Sequence, residues 1–167
     1  MPLPRALRPA VARFSRTRFF RRVGPRIMPP LERAVSRLTG GATPLSGLLV
    51  PSLVLHTVGA RSGLPRETPL MYCPRPDGTM LVTGSNFASE RHPAWTANLL
   101  ARPDAWVAVG RRRIDVTASL VPEDEREAVW ARLEENWPGY RGYERASGRQ
   151  LRIFRLVPRA PGDGGSR

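Results

Sequence analysis

The stretch Leu53-Val54-Leu55-His56-Thr57-Val58, Gly59-Ala60-Arg61-Ser62-Gly63-Leu64-Pro65-Arg66, Glu67-Thr68-Pro69-Leu70-Met71-Tyr72 reads as an apolar strand, a tight basic turn and a returning strand. Gly59 and Gly63, with Ser62 between them, let the backbone fold closely and turn its N–H groups outward, a nest suited to anions. Arg61 and Arg66 add fixed positive charge on planar donor forks. The plainer reading is a glycine-rich connector whose arginines are merely solvated. The loop by itself does not choose between the two. It is neither a Walker loop nor a dinucleotide fingerprint, because the terminal Lys-Ser/Thr is missing and a strand follows in place of a helix.

Outward from this hairpin, Arg75-Pro76-Asp77-Gly78 is a turn and Thr79 to Thr83 a third strand. A polar loop from Gly84 to Arg91 leads to His92-Pro93, which opens a helix carrying Trp95, Leu99 and Leu100 and closing at Arg102-Pro103. Trp106 to Val109 pairs through Gly110-Arg111 with a strand in which Ile114, Val116, Ala118 and Leu120 alternate with Asp115, Thr117 and Ser119. Pro122, Glu123 and Asp124 open an acid-first helix with Val129, Trp130, Leu133 and Trp137 on one face. Leu151 to Val157 forms the last strand. Six or seven strands with short helices and no βαβ rhythm imply an α+β barrel, not a doubly wound sheet.

The chain has 167 residues, enough for one domain with a real core. Its net charge is +13, and all 27 basic residues are arginine. Such a field gathers polyanions: nucleic acid, anionic lipid or an anionic cofactor tail. Nucleic acid is disfavoured as partner, since the arginines are dispersed and the aromatics fall in expected core or lid. Cys73 is the sole cysteine and His56 and His92 the sole histidines, which excludes an intrachain disulfide and argues against a structural zinc site. The single thiol fits a reducing cytoplasm.

Residues 1–30 carry eight arginines and no acid. No apolar run follows the basic residues, so a signal peptide is not expected. This segment reads either as a flexible solvated arm or as a basic amphipathic helix over Ala10 to Val23 that touches a membrane surface from the cytoplasmic side. Leu31, Ala34, Val35 and Leu38 then recur at helical spacing up to Gly40-Gly41. The expected organisation is a basic arm over 1–30, a barrel domain over 31–158 and a tail over 159–167.

Taken together, Thr57-Val58-Gly59-Ala60-Arg61-Ser62-Gly63, Pro65-Arg66, Pro69-Leu70-Met71-Tyr72, Asp77-Gly78, Gly84-Ser85 and His92-Pro93-Ala94-Trp95 with Asn98 and Leu99 resemble the deazaflavin-dependent nitroreductase and quinone reductase family. The resemblance covers roughly Arg37 to Pro158. It implies a split β-barrel that binds coenzyme F-420, an 8-hydroxy-5-deazaflavin with a phospholactyl-oligoglutamate tail. It further implies hydride transfer to a quinone-like or nitroaromatic acceptor, and barrels of this type often pair as homodimers. FMN or heme on the same barrel stays open as the alternative.

Carried onto this chain, the resemblance assigns cofactor contacts to Gly59, Arg61, Ser62, Gly63, Arg66, Pro69, Ser85, Asn86, Trp95 and Asn98. Arg61 and Arg66 would take the phosphate and carboxylates of the tail. Ser85 and Asn86 would line the ring, although some members carry a basic residue where this chain has Asn86. Trp137, Tyr140 and Tyr143, spaced three apart, stack along one side of a helix or 3₁₀ turn. The resemblance makes them cap the substrate pocket, with Tyr140 protonating the acceptor. Trp95 equally suits plain core, His56 a packed histidine, and His92 a solvent-facing residue at a helix start.

Overall fold

The computed structural model describes residues 51–86, 89–137 and 140–160. The expected basic arm, the helix after Leu31 and the tail beyond residue 160 lie outside them.

Strand β1 (Ser52–Val58) turns through Gly59–Leu64 into β2 (Pro65–Pro74), and β2 turns at Arg75–Thr79 into β3 (Met80–Thr83). Helix α1 (Ala94–Ala101) leads to β4 (Asp104–Val109) and β5 (Arg112–Leu120). A 3₁₀ turn (Glu123–Glu125), α2 (Arg126–Asn136) and α3 (Gly142–Ser147) precede β6 (Ile153–Pro158). All pairings are antiparallel, and β1 against β4 closes the barrel in the order β1-β2-β3-β6-β5-β4.

The side-chain period of two sorts each strand into an inner and an outer row. Leu53, Leu55, Met80, Val82, Val107, Val116, Ala118, Phe154 and Leu156 fill the interior, and Trp95 and Leu99 of α1 join them. Because β1 and β3 run the same way, the turn after Val58 and the loop after Thr83 emerge at the same barrel end. Helix α1 plugs that end. A second core lies outside the wall, where Cys73, Leu81 and Ile153 pack against Val129, Trp130 and Leu133 of α2 and the aromatics after it. Strand β3 is therefore buried on both faces.

Three details differ from the sequence reading. The acids Glu123 and Asp124 stand in a separate 3₁₀ turn, and α2 opens instead at Arg126, which is buried. Leu120 is 45% exposed: it is the last residue of β5, where the wall runs out. Helix α3 carries no apolar periodicity long enough to announce it, and it ends on Gly148 in the left-handed region (φ 67°), as a glycine readily does.

Arg126 ties the lid to the barrel. Its Nη2 donates to Glu144 Oε1 at 2.9 Å and its Nη1 to the Leu151 carbonyl at 3.1 Å, while Glu144 Oε1 also accepts the Leu151 N–H at 2.7 Å. Arg159, just past β6, donates its N–H to the Asp115 carbonyl and pairs with Asp104.

Leu81 is fully buried between wall and lid. Leu81→Ala is expected to lower stability by ~2–5 kcal/mol in urea denaturation, whereas Leu120→Ala should stay within ~0.5 kcal/mol.

Candidate functional site

The helix-plugged barrel end gathers most of the candidate residues. At the Gly59–Leu64 turn, Gly59 N–H donates to Leu64 O and Gly63 N–H to Gly59 O, both at 2.8 Å, and Leu64 N–H to Ser62 Oγ at 3.3 Å. Ala60 N–H donates to Asn98 Oδ1 at 2.9 Å. These donors are used within the turn and by α1, so the expected outward nest is not formed from them. Gly59 and Gly63 are still required. A Cβ on Gly59 would meet Ser62 Oγ at 2.5 Å, and Gly63 has φ 67°.

What the turn does present is guanidinium. Arg61 and Arg66 are exposed, and neither has a carboxylate partner among the described residues; Arg66 Nη2 donates only to Ser62 Oγ at 3.3 Å. Arg75, Arg113, Arg126, Arg132, Arg141, Arg155 and Arg159 all have one. Arg102 lies beside the turn, its Nη1 donating to Gly59 O at 3.3 Å.

Asn98 is buried, and its amide also donates to Thr57 Oγ1 at 3.1 Å. It therefore holds the turn against α1, with its side chain behind the loop. Trp95 takes the core alternative: it is 5% exposed and packed on Phe154 with ring centres 5.7 Å apart. Pro69 is exposed on the outer row of β2, in line with Met71 and Cys73.

After β3, Ser85 N–H donates to Thr83 O at 2.9 Å. Asn86 adopts a positive φ (46°), and its amide closes the loop on itself through Arg91 O at 2.9 Å. His92 is not solvent-facing as expected: its Nδ1 lies 2.9 Å from Arg149 Nη1. Arginine has only donors, so that nitrogen accepts and the imidazole is neutral with its proton on Nε2. His56 is packed, as expected, stacked on Trp106 at 3.3 Å with Glu67 3.5 Å from its Nδ1.

Trp137, Tyr140 and Tyr143 are joined by i to i+3 backbone bonds, Tyr140 N–H to Trp137 O at 3.1 Å and Tyr143 N–H to Tyr140 O at 3.0 Å. All three are buried. Tyr140 meets Tyr143 and Trp130 edge-on, at 5.6 and 6.2 Å between ring centres. Burial pushes the Tyr140 phenol up to about 12; the Ser85 and Thr83 side chains facing it pull the other way, and Tyr143 adds to the rise.

Tyr140 and Trp137 line a pocket with Met71, Tyr72, Cys73, Leu81, Thr83, Leu133 and Asn136, about 280 Å³ of empty space out to its mouth. Of these lining residues, Trp137 has a buried Nε1 with no hydrogen-bond partner, and the buried Thr83 Oγ1 faces the Tyr140 hydroxyl. The sequence reading did not single out Thr83 or Arg149. Thr83 reads as one more strand residue, and Arg149 as one arginine among 27.

A closed six-stranded antiparallel barrel with a helix-plugged end and an aromatic lid is of the split-barrel class. The profile of the F420H2-dependent quinone reductase family matches residues 31–158, and the chain belongs to that family. An F420H2-dependent quinone reductase of Mycobacterium tuberculosis is 38% identical over 112 residues, 65% of this chain and 74% of the relative. A solved F420-H2 dependent reductase (FDR-A) superposes with TM-score 0.57 at 31% identity, over 64% of this chain and 93% of that one. A solved chain described as a domain-swapped dimer gives TM-score 0.59 at 28% identity, over 75% and 96%.

Burial holds His92 below its ordinary value of 6.5, with Arg152 and Arg149 adding to the fall. Burial also lowers His56, opposed by Glu67 and assisted by Arg113. In both, the unfolded chain takes up its proton first. The stability present above the unfolded value is then lost as pH falls toward the folded one. Denaturation midpoints should therefore drop between about pH 7.5 and about pH 5.5, and His92→Gln should flatten part of that slope. Equal slopes would mean that His92 is solvated.

Proposed function

We propose that this chain transfers hydride from reduced coenzyme F-420 to a quinone, with the anionic tail at Arg61 and Arg66 and the acceptor in the pocket beside Tyr140. The pocket carries this reading: its walls are apolar, yet Trp137 Nε1 stands unpartnered, and Thr83 Oγ1 faces a buried phenol. A buried donor without a partner is costly. A flat apolar ring whose carbonyl oxygens only accept hydrogen bonds is complementary to such a wall. The enclosed part of the pocket is only about 10 Å³, room for one water, so the tricyclic ring would lie at its mouth and only an edge of the acceptor would enter.

The fit to the cofactor rests on its donors. A tail of phosphate and carboxylates needs cations that no carboxylate of the chain already occupies, and Arg61 and Arg66 answer that at the barrel end where Ser85 also lies. When bound, the reduced deazaflavin supplies hydride at carbon. The chain supplies orientation and the proton. With its phenol held at about 12, Tyr140 keeps its proton on Oη at neutral pH and releases it only as negative charge builds on an oxygen beside it. One hydride and one proton convert a quinone to its hydroquinone. The domain-swapped relative supports pairing into a homodimer. No described helix is long and apolar enough to cross a membrane.

Titration with the protein should quench or shift deazaflavin fluorescence; no change at saturation, with FMN bound instead, would overturn the reading. Arg61→Ala and Arg66→Ala should weaken cofactor binding while saturating cofactor largely restores turnover, as expected when uniform binding is lost. Unchanged affinity in both would place the tail elsewhere.

Tyr140→Phe keeps the ring and deletes the proton. Quinone turnover should fall ~10²–10⁴-fold with cofactor affinity barely moved, and Tyr143→Phe should be milder. Wild-type turnover in Tyr140→Phe with several quinones and nitroaromatics would make the phenol a packing residue.

A further inference from the structure

Arg149 stands between α3 and β6, and its guanidinium reaches a single segment. Nε donates to Ser89 O at 2.9 Å, and Nη2 donates to Gly84 O at 2.9 Å and Ser85 O at 3.1 Å. Nη1 completes the set on His92 Nδ1 at 2.9 Å. Four of its five N–H donors thus end on residues 84–92. The reverse link exists as well: Gly84 N–H donates to Arg152 O at 2.8 Å. Gly84 has no room for a side chain there, since a Cβ would meet Thr96 Cγ2 at 2.9 Å.

These contacts are unusual for an arginine of this chain. Arg149 has no salt bridge among the described residues. Burial lowers its pKa, Arg152 adds to the fall and Glu144 opposes it. Its partners are three carbonyls and one neutral imidazole, all of which read the fork's shape more than its charge. The loop it holds carries Ser85, whose side chain faces the Tyr140 hydroxyl. Arg149 itself lies on the same lid segment that carries Tyr143, beyond the αL turn at Gly148.

We propose that Arg149 is a positioning residue: by clamping the Gly84–His92 loop to the lid segment, it sets Ser85 against Tyr140 and fixes the rim at which hydride and proton transfer take place. This rests on the functional reading above for what the rim does. The clamp itself rests only on the contacts of the chain.

Both parts can be measured on the full chain. In Arg149→Ala, hydrogen exchange at the amides of residues 84–92 should rise ~10-fold or more while the strand peptides keep wild-type protection, as expected of a local opening. kcat/KM for quinone reduction should fall on the order of 10²-fold, the cost of a small misplacement at a reacting centre. Arg149→Lys keeps the charge but not the fork and should recover little of either; it carries the test if the alanine variant fails to fold. Arg145→Ala, an exposed arginine of α3, is the control and should resemble wild type in both.

Wild-type exchange in the loop of both Arg149 variants would overturn the clamp. A uniform rise across all peptides would overturn it too, since the residue would then serve only the fold. A loosened loop with wild-type kcat/KM would overturn the positioning role. A wild-type protein that neither binds deazaflavin nor reduces a quinone would sink the functional reading instead, and the exchange arm would still decide the clamp.

Discussion

Strand β3 has no solvent face, and the site depends on that. Met80 and Val82 belong to the barrel interior, Leu81 to the core under the lid, and Thr83 to the wall of the pocket. Four residues therefore bind two cores together, and the lid cannot leave without exposing the strand. The proposed acceptor pocket is the place where this second core is left incompletely filled. A pocket formed between a doubly buried strand and its lid has packed walls, and such walls hold reacting groups at fixed separation.

The arginines divide by their partners. Arg113 and Arg132 are exposed and face a carboxylate, and such pairs contribute little to stability. Arg126 is different: at 7% exposure, with Glu144 and two backbone groups of Leu151 in the same network, it is a buried charge that has to be answered in full. Its value is geometric, since only one placement of α3 against α2 satisfies it. Arg61 and Arg66 form the opposite case. Charge left unanswered by the chain at a tightly built turn is charge available to something else.

Much of this was readable without coordinates. The barrel strands follow from apolar alternation and glycine turns, and the two-sided burial of β3 agrees with the unbroken apolar run Met80-Leu81-Val82. The aromatic triplet at 137, 140 and 143 could be read from its spacing alone. What could not be read are contacts between distant segments. Asn98 stands in a helix 38 residues from the Ala60 N–H that it receives, and nothing near it in sequence tells a turn-holding amide from a ligand-facing one. Trp95 stayed open for the same reason, because a large aromatic near a site suits core and ring contact equally. Arg149 was hidden by abundance: where every basic residue is arginine, residue type carries no signal.

The strand order has a consequence for how the chain is made. β6 lies between β3 and β5, although it is the last described strand in sequence. Until Ile153–Pro158 leave the ribosome, the earlier strands can form only an open sheet, β3-β2-β1-β4-β5, with an unpaired edge at each end. Such edges are templates for other chains, and synthesis at about 5–20 residues per second holds them open for seconds. β6 acts as a keystone: it seals both edges at once, and the nascent chain is most open to wrong partners just before it arrives.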